Sequence, residues 1–302
     1  MSRAGATTDA AALLGERARR GVALGSFTTY RVGGPADLFF EIAGPADVET
    51  ACRAVVATGV PVLVTGRGSN LLVADAGFRG LAVRLGEAFA AVDLHGTEVR
   101  AGGAAALPVV ARRTAAGALT GLEWAVGVPG SVGGAVRMNA GGHGSQTSDT
   151  LRRVGLVDLR TGADRETAAG ELALGYRRSS VTADQVVLWA EFGLRVGDRH
   201  ASEAEVAGIV RWRREHQPGG ANAGSVFTNP PGDSAGRLID AAGLKGHRVG
   251  SAFVSPKHAN FFQADEGGSA DDVRALIDEV RRLVEERMGV LLEPELRMIG
   301  FP

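Results

Sequence analysis

Two dense glycine clusters constrain this chain more than any other feature. One is Gly66-Arg67-Gly68-Ser69-Asn70, directly after the apolar run Val60-Pro61-Val62-Leu63-Val64; the other is Gly127-Val128-Pro129-Gly130-Ser131-Val132-Gly133-Gly134. The 44 glycines among 302 residues are about twice the usual share, and they gather in short runs instead of spreading as low-complexity sequence. Glycine placed this way permits positive φ and close approach of backbone to a ligand. A strand feeding a tight polar turn presents successive N–H groups as an anion-binding nest, suited to a diphosphate. Alone, the first cluster reads equally well as a structural turn. It is neither the GxGxxG fingerprint that opens a helix nor a Walker loop, because no Gly-Lys-Ser/Thr follows. The second cluster changes the balance. The stretch Gly121 to Gly141 is too glycine-dense for an ordinary packed element. Two such loops in one domain are what a long cofactor with two phosphates needs, one along each side.

Charge and cysteine content exclude several classes. The net charge is −1, so no global field draws the chain to nucleic acid or an anionic membrane, and an anionic ligand must be held by local groups. Cys52 is the single cysteine, which excludes an internal disulfide framework and a cysteine-based zinc site. His95, His143, His200 and His247 form no HxH or HExxH spacing, and no metal site is expected. The first 20 residues lack the uninterrupted apolar stretch of a signal peptide, and no run approaches the ~18 apolar residues that cross a bilayer. The cytoplasm is the expected compartment.

Periodicity gives a mixed α+β chain. Residues 1–20 read as a polar tail or short helix. Thr28 to Val32 and Asp37 to Ile42 read as strands. A helix opens at Gly44-Pro45, where the missing proline N–H costs nothing, and ends at Gly59. Val48, Ala51, Cys52 and Val55 recur on its apolar face, which makes Cys52 a small buried residue. Short strands follow at 60–64, 71–73 and 81–85, with a turn at Asp75-Ala76-Gly77; then come a helix near 107–117 and strands near 151–160 and 185–195. Past Val196-Gly197-Asp198 longer helices take over. Ser202 is the expected cap of a helix from about 203 to 214. Ser269-Ala270-Asp271-Asp272 has the pattern of a capping box with Asp in place of Glu, opening a helix whose stripe Val273, Leu276, Ile277, Val280, Leu283, Val284 and Met288 ends at Gly289. We expect a boundary near 198, with a tail at 1–20, a glycine-rich domain at 21–198 and a smaller α+β domain at 199–302.

Further motifs narrow the class. Thr29-Tyr30-Arg31-Val32-Gly33-Gly34-Pro35-Ala36, Tyr176-Arg177-Arg178-Ser179, Asn222-Ala223-Gly224-Ser225-Val226-Phe227-Thr228-Asn229-Pro230 and Leu292-Glu293-Pro294-Glu295-Leu296-Arg297 stand in this order along the chain. Together with the paired glycine loops they resemble the UDP-N-acetylenolpyruvoylglucosamine reductase (MurB) family, in its shorter second type. The resemblance runs from about residue 26 to 300. It implies a vanillyl-alcohol oxidase type FAD-binding domain followed by a smaller substrate-binding domain. It also implies noncovalent FAD, reduction by NADPH, and a nucleotide-sugar substrate that enters after NADPH leaves. The implied cofactor contacts are Gly66, Arg67, Gly68, Ser69, Asn70 and Leu71 from the first loop. From the second they are Gly127, Val128, Pro129, Gly130, Ser131, Gly134, Ala135, Asn139 and Gly141.

The chemistry the resemblance implies is coherent. Hydride added to the terminal carbon of an enolpyruvyl ether leaves negative charge beside the carboxylate, and a positioned cation and proton donor lower that barrier. By resemblance Arg177 and Glu295 stabilise or polarise the enolate, and Ser225 delivers the proton. Tyr176, His216, Asn229 and His258 stand where relatives contact substrate, although Asn229 and His258 serve equally well as turn and packing residues. His216 stands where the family generally has lysine, so its contact with a diphosphate would be pH-dependent. Gln263 stands where relatives often have asparagine. A monomer without nucleic-acid or membrane partners is expected. Three rivals stay open on sequence: an oxidase with covalently tethered flavin, a non-enzymatic nucleotide-sugar binder, and a paralogue acting on another unsaturated nucleotide sugar.

Overall fold

The structure, a computed structural model, describes residues 3–301. The chain forms two compact units. The first takes the residues up to Arg20 together with Asp37–Arg67 and Arg79–Arg213; the second takes Gly21–Ala36, Gly68–Phe78 and the residues from Arg214 onward.

The first unit has two cores. In one, a four-stranded sheet runs in the order Arg19–Ala23, Pro35–Ile42, Phe78–Leu85, Val62–Thr65. Its last two strands are parallel, with Thr65 opposite Arg84. Helix Arg3–Leu14 buries Ala6, Ala10 and Leu14, spaced four apart on one face. Helix Pro45–Thr58 starts with proline after its N-cap Gly44 and stops at the left-handed Gly59. It buries Val48, Ala51, Cys52 and Val55, as periodicity predicts. Leu38, Phe40 and Ile42, on alternate positions of one strand, complete this core; burying each such side chain contributes ~1.5–3 kcal/mol.

The other core lies on an antiparallel sheet in the order Asp164–Ala168, Leu151–Asp158, Gln185–Gly193, Glu98–Gly102, Val92–His95. Helix Leu107–Ala116, the short helix Val132–Met138 and Val206 and Ile209 of helix Arg199–His216 pack on the same cluster.

The second unit centres on helix Ala270–Met288, whose Val273, Leu276, Ile277, Val280 and Val284 are fully buried. Helix Ala235–Ala241 and a three-stranded sheet of Arg248–Val249, Ala252–Val254 and Phe262–Ala264 accompany it. Strand Leu71–Val73 pairs in parallel with Arg297–Ile299. Among the described residues, no helix is long and apolar enough to cross a membrane.

Three local expectations are corrected. Thr28 to Val32 is not a strand: turn bonds from Thr28 N to Gly25 O and Arg31 N to Thr28 O hold it, Arg31 sits at φ 58, and strand structure starts at Pro35. The burial of Tyr30 and Val32 overrides the β-branched pattern. Ser202 does not cap its helix, which begins at Arg199; the Asp198 carboxylate accepts from Ala201 N at 2.7 Å instead. The box at Ser269 is only half formed. Ser269 Oγ accepts from Asp272 N at 3.1 Å, but the shorter Asp272 side chain turns to Ser251 N and Oγ, each at 2.7 Å. Ser251 Oγ in turn accepts from Ser269 N at 2.8 Å, so the missing methylene is bridged by a serine.

Candidate active site

The first glycine turn follows strand Val62–Thr65, and beside it the first unit opens a cleft. Thr65, Gly66, Arg67 and Arg84 line it from the ends of the parallel strands; Gly103, Ala104, Ser131, Gly133, Gly134 and Arg137 line it from the second lobe of this unit. The carboxyl ends of parallel strands are a general place for ligands in α/β sheets. Gly66 lies close against the second loop: a Cβ there would stand 2.5 Å from Ser131 Oγ. Ser131 is itself the N-cap of Val132–Met138 and accepts from Gly134 N at 3.3 Å. The two glycine loops therefore meet across one cleft.

The remainder of the first turn belongs to the second unit. Gly68 adopts φ +62 and a Cβ there would fall 2.1 Å from Phe27 O; Thr29 N donates to Gly68 O at 3.3 Å. Asn70 Nδ2 donates to Glu295 O at 3.2 Å, and Leu71 pairs with Arg297. Ser69 is half-buried in the same turn. The hydroxyls of Thr29 and Tyr30 are buried with no partner in this structure.

Within the second loop Gly127 ends a 3-10 turn and lies against His143, to which a Cβ would come within 3.1 Å. Val128 N donates to Ala125 O at 3.1 Å, Pro129 follows it, and Gly130 O accepts from Leu107 N at 3.0 Å. Ala135 is buried in the lobe core. Asn139 has no solvent exposure. Its amide donates to Gly175 O at 3.0 Å and Gln146 Oε1 at 3.2 Å, and its oxygen accepts from Ser148 N at 2.9 Å. It ties the helix end to the segment bearing Tyr176 and Arg177. Arg177 adopts φ 55, donates to Gly141 O at 3.0 Å and stacks 4.9 Å from the ring centroid of the exposed Tyr176. Ser179 Oγ anchors the next residues on Arg137 O at 2.7 Å.

The second unit brings Ser225 and Glu295 into one backbone ladder. Ser225 bridges Phe261 and Phe227 bridges Pro294, both antiparallel. Glu295 N donates to Val226 O at 2.8 Å, and Thr228 N donates to Glu293 O at 2.9 Å. Asn260, almost fully buried, clamps the same segment: Oδ1 accepts from Phe227 N at 3.0 Å and Nδ2 donates to Phe227 O at 2.8 Å. Sequence reasoning missed Asn260, since nothing in Ala259-Asn260-Phe261 distinguishes a buried amide from a turn residue.

Asn229 Oδ1 accepts from Ala235 N at 3.1 Å, and His258 Nδ1 accepts from Asn260 N at 3.3 Å. Burial lowers the affinity of His258 for a proton, with Lys245 adding to the effect, so the imidazole stays neutral at pH 7. His216 is exposed at the end of helix Arg199–His216, where Lys257 Nζ donates to Arg214 O at 2.6 Å. Gln263 Nε2 donates to Gly219 O at 2.9 Å.

Comparison with known proteins places this geometry. The family described as "UDP-N-acetylenolpyruvoylglucosamine reductase, C-terminal domain" matches residues 216–299, and "FAD binding domain" matches residues 36–167. A UDP-N-acetylenolpyruvoylglucosamine reductase of Rubrobacter xylanophilus is 43% identical over 278 residues, covering 91% of this chain and 93% of its own. One from Heliobacterium modesticaldum is 45% identical over 276 residues, 90% of this chain and 88% of its own. The crystal structure of the reductase (MurB) from Thermus caldophilus superposes with a TM-score of 0.82 at 36% identity, covering 94% of this chain and 99% of that one. These likenesses span both units and both sets of motifs: the chain belongs to the UDP-N-acetylenolpyruvoylglucosamine reductase family.

Proposed function

We propose that this chain is the FAD-dependent UDP-N-acetylmuramate dehydrogenase of peptidoglycan precursor synthesis, reducing UDP-N-acetylglucosamine enolpyruvate with NADPH. Identity of 43% across 91% of the chain carries this reading. The residues fit the cofactor. Both glycine loops line one cleft, and at Gly66 a side chain would narrow the gap to Ser131. Gly66, Arg67 and Ser131 with its neighbours would hold that diphosphate. The glycine-rich part, about 21–198, serves the cofactor, and about 199–302 serves the nucleotide sugar.

Bound FAD supplies the hydride, received from NADPH, that reduces the enolpyruvyl double bond. Arg177 meets the negative charge that develops on the substrate carboxylate; its guanidinium is oriented by Gly141 O and by the Tyr176 ring. Ser225 gives the proton to the carbon beside that carboxylate. Glu295 donates a proton or orients the donor, and the bond from its N–H to Val226 O, next in chain to Ser225, supports that pairing. Tyr176, His216, Asn229 and His258 contact the nucleotide sugar. The enzyme acts as a cytoplasmic monomer, without nucleic-acid or membrane partners.

The deciding experiment is whether the purified, yellow protein oxidises NADPH only when UDP-N-acetylglucosamine enolpyruvate is present. A colourless protein that cannot be reconstituted, or oxidation indifferent to that substrate, would refute the reading.

A further inference from the structure

Among the described residues six that are not glycine adopt positive φ, and four of them fall in two short segments: Asn139 (φ 40) and His143 (φ 53) in one, Ala173 (φ 44) and Arg177 (φ 55) in the other. An L side chain in this region crowds the following carbonyl. Such residues persist only where their surroundings hold them, and they gather where a site needs a fixed shape. Here the two segments hold each other.

Arg177 is the second central residue of a two-residue turn, closed by Gly175 N donating to Arg178 O at 3.0 Å and Arg178 N donating to Gly175 O at 3.2 Å. With positive φ such a position ordinarily carries glycine or asparagine. Three bonds tie the turn to the end of helix Val132–Met138 and the residues after it, at every second position. Ser179 Oγ donates to Arg137 O at 2.7 Å, Asn139 Nδ2 donates to Gly175 O at 3.0 Å, and Arg177 Nη2 donates to Gly141 O at 3.0 Å. The Ser179 hydroxyl also accepts from Val181 N at 3.3 Å. The Asn139 amide, with no solvent exposure, spends its second N–H on Gln146 Oε1 at 3.2 Å, and its oxygen accepts from Ser148 N at 2.9 Å. A hydroxyl has one donor and an amide two. Neither side chain therefore has a donor left for a ligand; both are committed to the turn and its surroundings.

We propose that Ser179 and Asn139 are positioning residues for the reduction of the enolpyruvyl group: they bracket the turn from either side and hold Arg177 in its left-handed conformation, so that the guanidinium is in place when charge develops on the substrate. Both roles rest on the one given to Arg177 above. They move the Asn139 side chain from cofactor contact to support of the turn, and they give the serine of Tyr176-Arg177-Arg178-Ser179 a function.

The test uses the flavin-loaded full chain in stopped flow. Ser179→Ala should keep its flavin and the reduction of that flavin by NADPH, while reoxidation by the enolpyruvyl substrate slows roughly 10- to 100-fold, the scale for a small misplacement of an aligned group. The loss should fall on kcat and not on KM, since the charge that Arg177 meets develops during hydride transfer. Ser179→Thr, which retains the hydroxyl, should restore the rate. In an Arg177→Ala background Ser179→Ala should cost nothing more, because its effect passes through the guanidinium. Hydrogen exchange reads the tether without activity: the Arg178 amide, which closes the turn, should exchange faster in both Ser179→Ala and Asn139→Ala. An undiminished reoxidation rate in Ser179→Ala, an equal slowing of both half-reactions, or the full loss again in the Arg177→Ala background would overturn the positioning role. Wild-type protein that reduces no enolpyruvyl substrate would refute the assigned reaction, and exchange would then decide the tether alone. Faster Arg178 exchange in both variants would leave it standing; unaltered exchange would remove it as well.

Discussion

The Ser202 hydroxyl donates a 2.6 Å hydrogen bond to the carboxylate of Glu123, a side chain only 5% exposed. Gly121 N donates to the other oxygen at 2.7 Å. This pair joins the first turn of helix Arg199–His216 to the start of the second glycine loop, 79 residues away in sequence. Ser202→Ala leaves a buried charge short of one donor, a loss of ~1–3 kcal/mol. Urea denaturation of the flavin-free protein should show a lower midpoint with an unchanged slope. An unaltered midpoint would mean that solvent replaces the hydroxyl.

The same carboxylate sets a pH dependence. Burial pushes the Glu123 proton affinity up, but the hydrogen bonds from Ser202 and Gly121, with further ones, outweigh it and hold the carboxyl below its ordinary 4.5. The folded state then binds fewer protons than the unfolded chain. This contribution is present above pH 4.5 and is lost as pH falls through the folded value. The stability gap between wild type and Ser202→Ala should therefore be full near neutrality and shrink below that range. A gap independent of pH would assign the loss to packing.

Ser225 acts after hydride transfer begins in the proposed sequence. Ser225→Ala should leave reduction of the flavin by NADPH nearly intact while slowing reoxidation by the enolpyruvyl substrate at least ~10²-fold, the lower end for a positioned general acid. Stopped-flow traces in which both halves slow equally would assign Ser225 a structural role.

Glu293 and Glu295 form an internal control. Both flank Pro294, whose bridge to Phe227 joins this segment to residues 226–228, but the Glu293 side chain is 68% exposed, with Arg281 at 4.0 Å, whereas Glu295 is half-buried. Glu295→Gln should keep flavin binding and NADPH oxidation and severely impair reduction of the enolpyruvyl group; Glu293→Gln should change little. Steady-state assays giving the reverse order would move the role to Glu293.

The flavin should be noncovalent. Cys52 is buried on helix Pro45–Thr58, and burial followed by Asp158 and other acids pushes its thiol up, away from the reactive thiolate. Acid precipitation should release all flavin to the supernatant; colour retained on the polypeptide would point to a covalent tether.

Helix ends were legible because capping is local. Gly59 and Gly289 take the left-handed conformation that their positions after apolar stripes suggest. Thr28 to Val32 was misread because tertiary burial of Tyr30 decides its shape. Ser202 looks like any N-cap, and only a carboxylate far away in sequence turns it inward. Both glycine loops were legible as backbone devices. Arg84 was not, because a single arginine ending a strand carries no local mark of the cleft beside it. The Ser225 and Glu295 motifs were found through family resemblance; their pairing rests on backbone bonds across about 70 residues, which no periodicity encodes.

The interleaved chain path has a consequence for descent. The strand of residues passes from one compact unit to the other after Arg20, Ala36, Arg67, Phe78 and Arg213. A gene fragment starting at Arg214 would encode a core lacking Tyr30, Val32 and Leu72, three of its buried side chains. A single recombination crossover therefore cannot exchange either unit for a foreign one without leaving a hole, and the two must be inherited, and must diverge, as one piece.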